Sequence, residues 1–128
     1  MRLGVDDMCF ACGAGNPIGL KLQFRFDGDD YVTDFVVQPE HQGWTGVAHG
    51  GLLATVLDEA MARLLWEKGL NAITGRLTVR YHKPLAIGES IRVRARITKQ
   101  RPLGIETSAE AMRGSDLIAE ATAVSVEV

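Results

Sequence analysis

The chain has 128 residues, 46% of them hydrophobic and 23% charged, which is enough to bury a core without a disulfide scaffold. Lys and Arg number 14 against 16 Asp and Glu, so the net charge of −2 lacks the basic excess that nucleic-acid binding demands. Two cysteines exclude a cysteine-rich secreted scaffold, and no apolar run approaches the roughly 18 residues of a membrane span. The start, Met1-Arg2-Leu3-Gly4-Val5-Asp6-Asp7, carries acids where a signal peptide is apolar, so a cytoplasmic protein without membrane or nucleic-acid partners is expected.

Residues 1–19, with Gly4, Gly13, Gly15, Pro17 and Gly19, read as a loop segment of a single domain over 1–128. Lys21 to Phe26 alternates, with Leu22, Phe24 and Phe26 on one face, and predicts a half-buried strand. Asp27-Gly28-Asp29-Asp30 is turn chemistry and Tyr31 to Val37 is rich in β-formers, which makes a hairpin. Pro39 to Ala48 is a loop broken by Gly43 and Gly46. From Gly51 to about Lys68 the period becomes helical, through Leu52, Leu53, Val56, Leu57, Ala60, Met61, Leu64 and Leu65, and Gly69 supplies a C-terminal stop. Four strands follow: one around Leu77, Val79 and Tyr81, one over Ile91–Ile97, one over Ile105–Met112, and one from Leu117 to Val128 after an Arg113–Asp116 turn. Short turns make most pairs antiparallel, and a single apolar helix beside one long sheet is an α+β architecture with the sheet curled around the helix.

The chemistry concentrates on that helix. His49-Gly50-Gly51 opens it, where unpaired backbone N–H groups and the positive end of the dipole gather, and two glycines let a ligand oxygen approach them. The competing reading is that the glycines only shape a tight entry into the helix. Asp58 lies off the apolar stripe, on a ridge of small residues with Ala54 and Ala62, a surface that suits a close-packed partner. Glu59 and Glu67 read as solvent-facing, with Glu59 a fallback candidate for the carboxylate. Gly50 and Asp58 are eight residues apart, or about 12 Å along a helix axis, so one substrate carbonyl cannot reach both within a subunit. If both act, the site takes one group from each copy of a two-fold dimer.

His49-Gly50-Gly51-Leu-Leu-Ala-Thr-Val-Leu-Asp58 resembles the signature of hotdog-fold acyl-CoA thioesterases of the PaaI-like group. The segments Cys9-Phe-Ala-Cys12-Gly-Ala-Gly-Asn16-Pro-Ile-Gly-Leu20 and Thr74-Gly-Arg-Leu-Thr-Val-Arg80-Tyr-His-Lys-Pro84 support it, and the order of elements agrees over nearly the whole chain. The resemblance implies a long helix wrapped by about six antiparallel strands, a homodimer or homotetramer, and hydrolysis of an acyl-CoA thioester with no metal or cofactor. It makes Asp58 a general base or nucleophile, Gly50 or Gly51 the N–H donor to the thioester carbonyl, His49 a positioning residue and Thr74 a hydroxyl that assists the water. The chemistry agrees, because thioester hydrolysis needs a base, a water and donors for the developing oxyanion. Some branches carry Asn or Gln six residues before the histidine. Here that position is Gly43, with Gln42 and His41 adjacent, and these three are candidates to hold the substrate.

Arg76, Arg80 and Lys83 are candidates for CoA phosphates, against the alternative of a solvated strand face. Arg92, Arg94 and Arg96 form a basic row read as solubility and edge protection. His41 and His82 are read as loop or surface residues, with His41 able to approach the site because it precedes His49 in the same loop. Cys9 and Cys12 form a CxxC with too little chain before it for a thioredoxin-like motif, and zinc needs about four ligands where the segment supplies two. The segment is therefore read as a structural lid over the sheet that lines the acyl pocket, against the alternative of a zinc site sharing both cysteine pairs of a dimer. Two alternatives to the thioesterase are a hydratase on the same fold, disfavoured by the Asp58 spacing, and a non-catalytic acyl-CoA or lipid-binding hotdog protein.

Overall fold

The computed structural model describes residues 1–128. The elements run β1 (Phe24–Asp27), β2 (Asp30–Val36), a one-turn 3-10 helix (Pro39–His41), α1 (Gly50–Glu67), β3 (Ala72–Tyr81), β4 (Ser90–Arg101), β5 (Gly104–Arg113) and β6 (Asp116–Glu127). All six strands join one antiparallel sheet in the order β1-β2-β4-β5-β6-β3. The connection through α1 carries the chain from β2 across to the far edge, so β3 is paired on one side only, with β6.

The helix is placed by its apolar stripe. Leu53, Val56, Leu57, Ala60, Met61, Leu64 and Leu65 are buried, and the helix packs against β2 through β6. The concave sheet face meets it with Val93 and Ala95 of β4, Ala109 and Ala111 of β5, and Ile118, Ala119, Ala121 and Ala123 of β6. Alanines on three adjacent strands leave room for the larger helix side chains, so the sheet wraps the helix closely. Lys68 ends the helix and Gly69 follows at φ +79, the left-handed stop expected from the sequence.

Two expectations change. The first strand begins at Phe24, because Lys21 takes a left-handed φ of 54 and breaks the extended run from Lys21 to Gln23. Leu22 is still buried, held by its N–H donating to the Ala11 carbonyl. The row Arg92, Arg94 and Arg96 does not protect an edge, since β4 lies between β2 and β5. Its partners are acids of the first hairpin: Asp34 for Arg92 at 2.8 Å, Asp27 and Asp30 for Arg94 at 2.9 and 3.5 Å, and Asp30 for Arg96 at 3.6 Å.

A bulge at Gly75 shifts the β3 register between Thr74 and Arg76. Thr74 lies opposite buried Ser125 and Leu77 opposite buried Ala123, so both lie on the helix side of the sheet although they are three positions apart, an odd step. The free edge leaves Ile73, Leu77 and Tyr81 exposed, with Val126 of β6 beside Ile73. No helix is long and apolar enough to cross a membrane.

Candidate active site

The helix entrance is built by His49. As N-cap it has extended backbone, and its ring Nδ1 accepts the Gly51 N–H at 2.9 Å. Its carbonyl accepts from Leu52 and Leu53 at 3.0 and 3.2 Å. Gly51 is therefore engaged by the cap, and a Cβ there would lie 3.1 Å from the His49 ring. The Gly50 N–H remains as the helix-end donor without a cap partner. Sequence spacing left Gly50 and Gly51 equivalent, and the His49 ring separates them.

Tyr81, which sequence reading did not single out, donates its hydroxyl to the Gly50 carbonyl at 2.6 Å. It stands at the end of β3, and only the fold brings that strand end to the helix entrance. Gln42, Gly43, Trp44, His49, Gly50, Gly51 and Tyr81 line a cavity of about 510 Å³. Gln42 is spent on the loop, its amide donating to the Pro39 carbonyl and accepting from Gly46, both at 2.8 Å. His41 is bonded within the same loop: its Nδ1 accepts the Gln38 N–H at 3.0 Å, its ring packs on Phe35, and its carbonyl accepts from His49. At Gly43 a Cβ would sit 3.1 Å from the His49 Cα, so the absence of a side chain there lets His49 close over the loop.

Asp58 faces the other way, two turns along. Its Oδ1 accepts the Thr74 hydroxyl at 2.8 Å, and both residues are half-buried. They open on a cleft of about 410 Å³ lined also by Leu3, Glu59, Arg63, Trp66 and Ile73. This cleft shares no lining residue with the cavity at Gly50. The donor and the carboxylate thus sit in separate hollows, as the helical spacing requires.

Glu59 departs from its expected solvent-facing place. It is half-buried against the N-terminal loop, where the Cys12 thiol donates to its Oε1 at 3.4 Å. Burial pushes its carboxyl pKa up, against the Cys12 thiol and the Arg63 guanidinium, which pull it down. The cysteines accordingly meet Glu59 of α1.

The basic candidates divide. Lys83 is held by Asp116 at 2.9 Å, whereas Arg76 and Arg80 on the outer side of β3 take part in no ion pair. His82, without an acidic neighbour in sequence, meets Glu120 across the strand pair at 3.0 Å.

The sequence pattern of the thioesterase superfamily matches residues 45–120, which run from the His49 loop through Asp58 and Thr74 into β6. The chain belongs to the thioesterase superfamily. The acyl-coenzyme A thioesterase 13 of Pongo abelii is 34% identical over 71 residues, 54% of this chain and 51% of that protein. The chain thus spans about half the length of that relative. The Mus musculus protein of the same name is 34% identical over 98 residues, 63% of this chain and 70% of its own. The E. coli PaaI protein from the phenylacetic acid degradation operon superposes with a TM-score of 0.78 at 20% identity, over 85% of this chain and 80% of that one. The single helix on a six-stranded antiparallel sheet is the hotdog fold expected from the sequence.

Proposed function

We propose that the chain hydrolyses acyl-CoA thioesters, with Asp58 as the base and the Gly50 N–H as the oxyanion donor, at a site completed by a second copy. The observation that carries the reading is the Thr74–Asp58 hydrogen bond at 2.8 Å in an open cleft. A hydroxyl donating to one carboxylate oxygen leaves the other free to take a proton from water. The water oxygen attacks the thioester carbonyl as Asp58 accepts its proton. The oxyanion forms against the Gly50 N–H at the positive end of α1. Collapse breaks the C–S bond, and the leaving thiolate takes up the proton that Asp58 holds, giving the free acid and CoA. The reaction so drawn uses no cofactor.

The dimer reading rests on the two separate hollows and on the free edge of β3, where Ile73 and Leu77 are exposed beside Thr74. Antiparallel pairing of two β3 edges would satisfy the unpaired backbone and bring one copy's Gly50 end toward the other's Asp58. Pairs of dimers would make the tetramer. Arg76 and Arg80, cationic and unpaired, supply charge for the CoA phosphates at that edge. Residues 1–19 would cover the Asp58 cleft within a single catalytic unit of 1–128, acting in the cytoplasm.

The test is thiol release from a panel of acyl-CoAs by the wild type and by Asp58→Asn. The substitution is nearly isosteric, and loss of a general base lowers the rate by at least about 100-fold. Acyl-CoA bound without hydrolysis by the wild type would replace this reading with a non-catalytic binding protein.

A further inference from the structure

The CxxC segment is the sequence motif that thioester hydrolysis leaves unused. In the fold it is not alone. The Cys9 and Cys12 sulfurs are 3.2 Å apart, Cys12 Sγ is 3.4 Å from Glu59 Oε1, and Cys9 Sγ is 4.0 Å from both Glu59 oxygens. These atoms form the one group of His, Cys, Asp and Glu ligands that converges within 4.8 Å. Zinc held tetrahedrally at about 2.3 Å from sulfur and about 2.0–2.2 Å from oxygen puts its ligands about 3.5–3.8 Å from one another. The three observed separations bracket that range.

The loop is built for this arrangement. The Cys12 N–H points at Cys9 Sγ at 3.4 Å, and the Gly13 N–H donates to the Cys9 carbonyl at 2.9 Å. A Cβ at Gly13 would collide with the Asp7 carbonyl oxygen and the Cys9 nitrogen, so the turn that aims both sulfurs admits no side chain there. Cys9 and Glu59 stand beside Cys12 as further ligands once a dication replaces the thiol protons. Arg63 Nη1 lies 3.1 Å from Cys12 Sγ, placed to donate to a metal-bound thiolate while also pairing with Glu67. Two thiolates, one carboxylate, a dication and the Arg63 guanidinium balance to zero charge.

We propose that Cys9, Cys12 and Glu59 form a zinc site that fastens the N-terminal loop to α1, with a fourth position open to the cleft that holds Asp58. Binding is ligand exchange without electron transfer. Each thiol releases its proton to solvent as its sulfur–zinc bond forms, and water fills the fourth position. Two thiolates favour zinc over magnesium or calcium. The site does not depend on the thioesterase reading, because its ligands and the base are different residues.

The test uses the full chain with both thiols reduced, stripped of metal and titrated with cobalt(II), then with zinc in competition. One equivalent of cobalt per chain with a thiolate-to-metal charge-transfer band, displaced by zinc, is expected. Glu59→Gln is expected to weaken cobalt affinity at least tenfold with an altered spectrum. Cys9→Ser is expected to abolish the charge-transfer band or reduce it. Circular dichroism checks that each variant is folded, and Asp58→Asn, which alters the neighbouring carboxylate, is expected to keep the band. The proposal is overturned if the reduced wild type gives no charge-transfer band. An unchanged affinity and spectrum in folded Glu59→Gln overturns it equally.

Discussion

Asp58 and Glu59 are neighbours on one helix and lead different lives. Asp58 points to β3 and meets a hydroxyl, Thr74, at an open cleft wall. Glu59, a residue further round, points to the N-terminal loop and meets two thiols, with the Arg63 guanidinium adding charge nearby. One step along an α-helix turns a side chain by about 100°, enough to pass from one packing neighbour to another. The role of a helix carboxylate therefore depends on which element lies beside it. Hydrophobic periodicity places both residues off the core stripe and distinguishes them no further.

The largest expected effect separates the two carboxylates. Asp58→Asn should remove hydrolysis by about 100-fold or more, while Glu59→Gln should cost at least tenfold less in rate and act on metal affinity instead. Equal losses of rate in both would erase the distinction. Next comes the free strand edge. Ile73→Lys combined with Leu77→Lys places charge on two exposed apolar residues of β3. Sedimentation should then find monomers, with hydrolysis falling in proportion to the monomer fraction. A monomeric variant of full activity would show that one copy suffices.

A smaller effect should follow from Thr74→Val, which keeps the shape beside Asp58 and removes its hydroxyl donor. A neutral hydrogen bond is worth about 0.5–1.5 kcal/mol, so kcat should fall a few-fold to about tenfold while the fold is retained. The smallest effect lies far from the site. The Arg92 guanidinium, bonded to Asp34, holds the Asp34 carboxyl below its ordinary value, with Arg25 adding to the pull. A carboxyl whose folded pKa is depressed stabilises the fold above its unfolded pKa, near 3.9, and that contribution is lost as pH falls through the folded value. Asp34→Asn should therefore lower Tm slightly at neutral pH and narrow its difference from wild type in acid. Both partners are about half exposed, so the effect should stay within the range of a surface ion pair.

Much of the fold is legible in the sequence because its signals are local. Alternation marks β3 and β4, β-rich runs bounded by turns mark β2, β5 and β6, the 3.6-residue period marks α1, and Gly69 marks its end, each from neighbours in the chain. The start of β1 escapes because the left-handed turn at Lys21 has no glycine to announce it. In the site, His49, Gly50 and Asp58 stand out through one helix, where spacing converts directly to distance. Tyr81 and the Cys9–Cys12–Glu59 group do not, because their separations along the chain, 31 residues from Gly50 and about 50 from the cysteines, carry no geometric information until the sheet closes.

By itself the sequence determined a one-helix α+β fold, two candidate groups on that helix at Gly50 and Asp58, and the impossibility of their meeting on one carbonyl within a chain. These follow from periodicity and from the fixed 1.5 Å rise of a helix, which need no partner element. Only the tertiary structure decided that the Gly51 N–H is taken by His49 while Gly50 keeps its own, that Glu59 turns inward to the cysteines, and that the arginine row of β4 answers the acids of the first hairpin. Each of those outcomes rests on side-chain directions and on contacts between segments distant in sequence or folded into a cap. Such contacts are set by the packing of the whole sheet around α1, which no local pattern encodes.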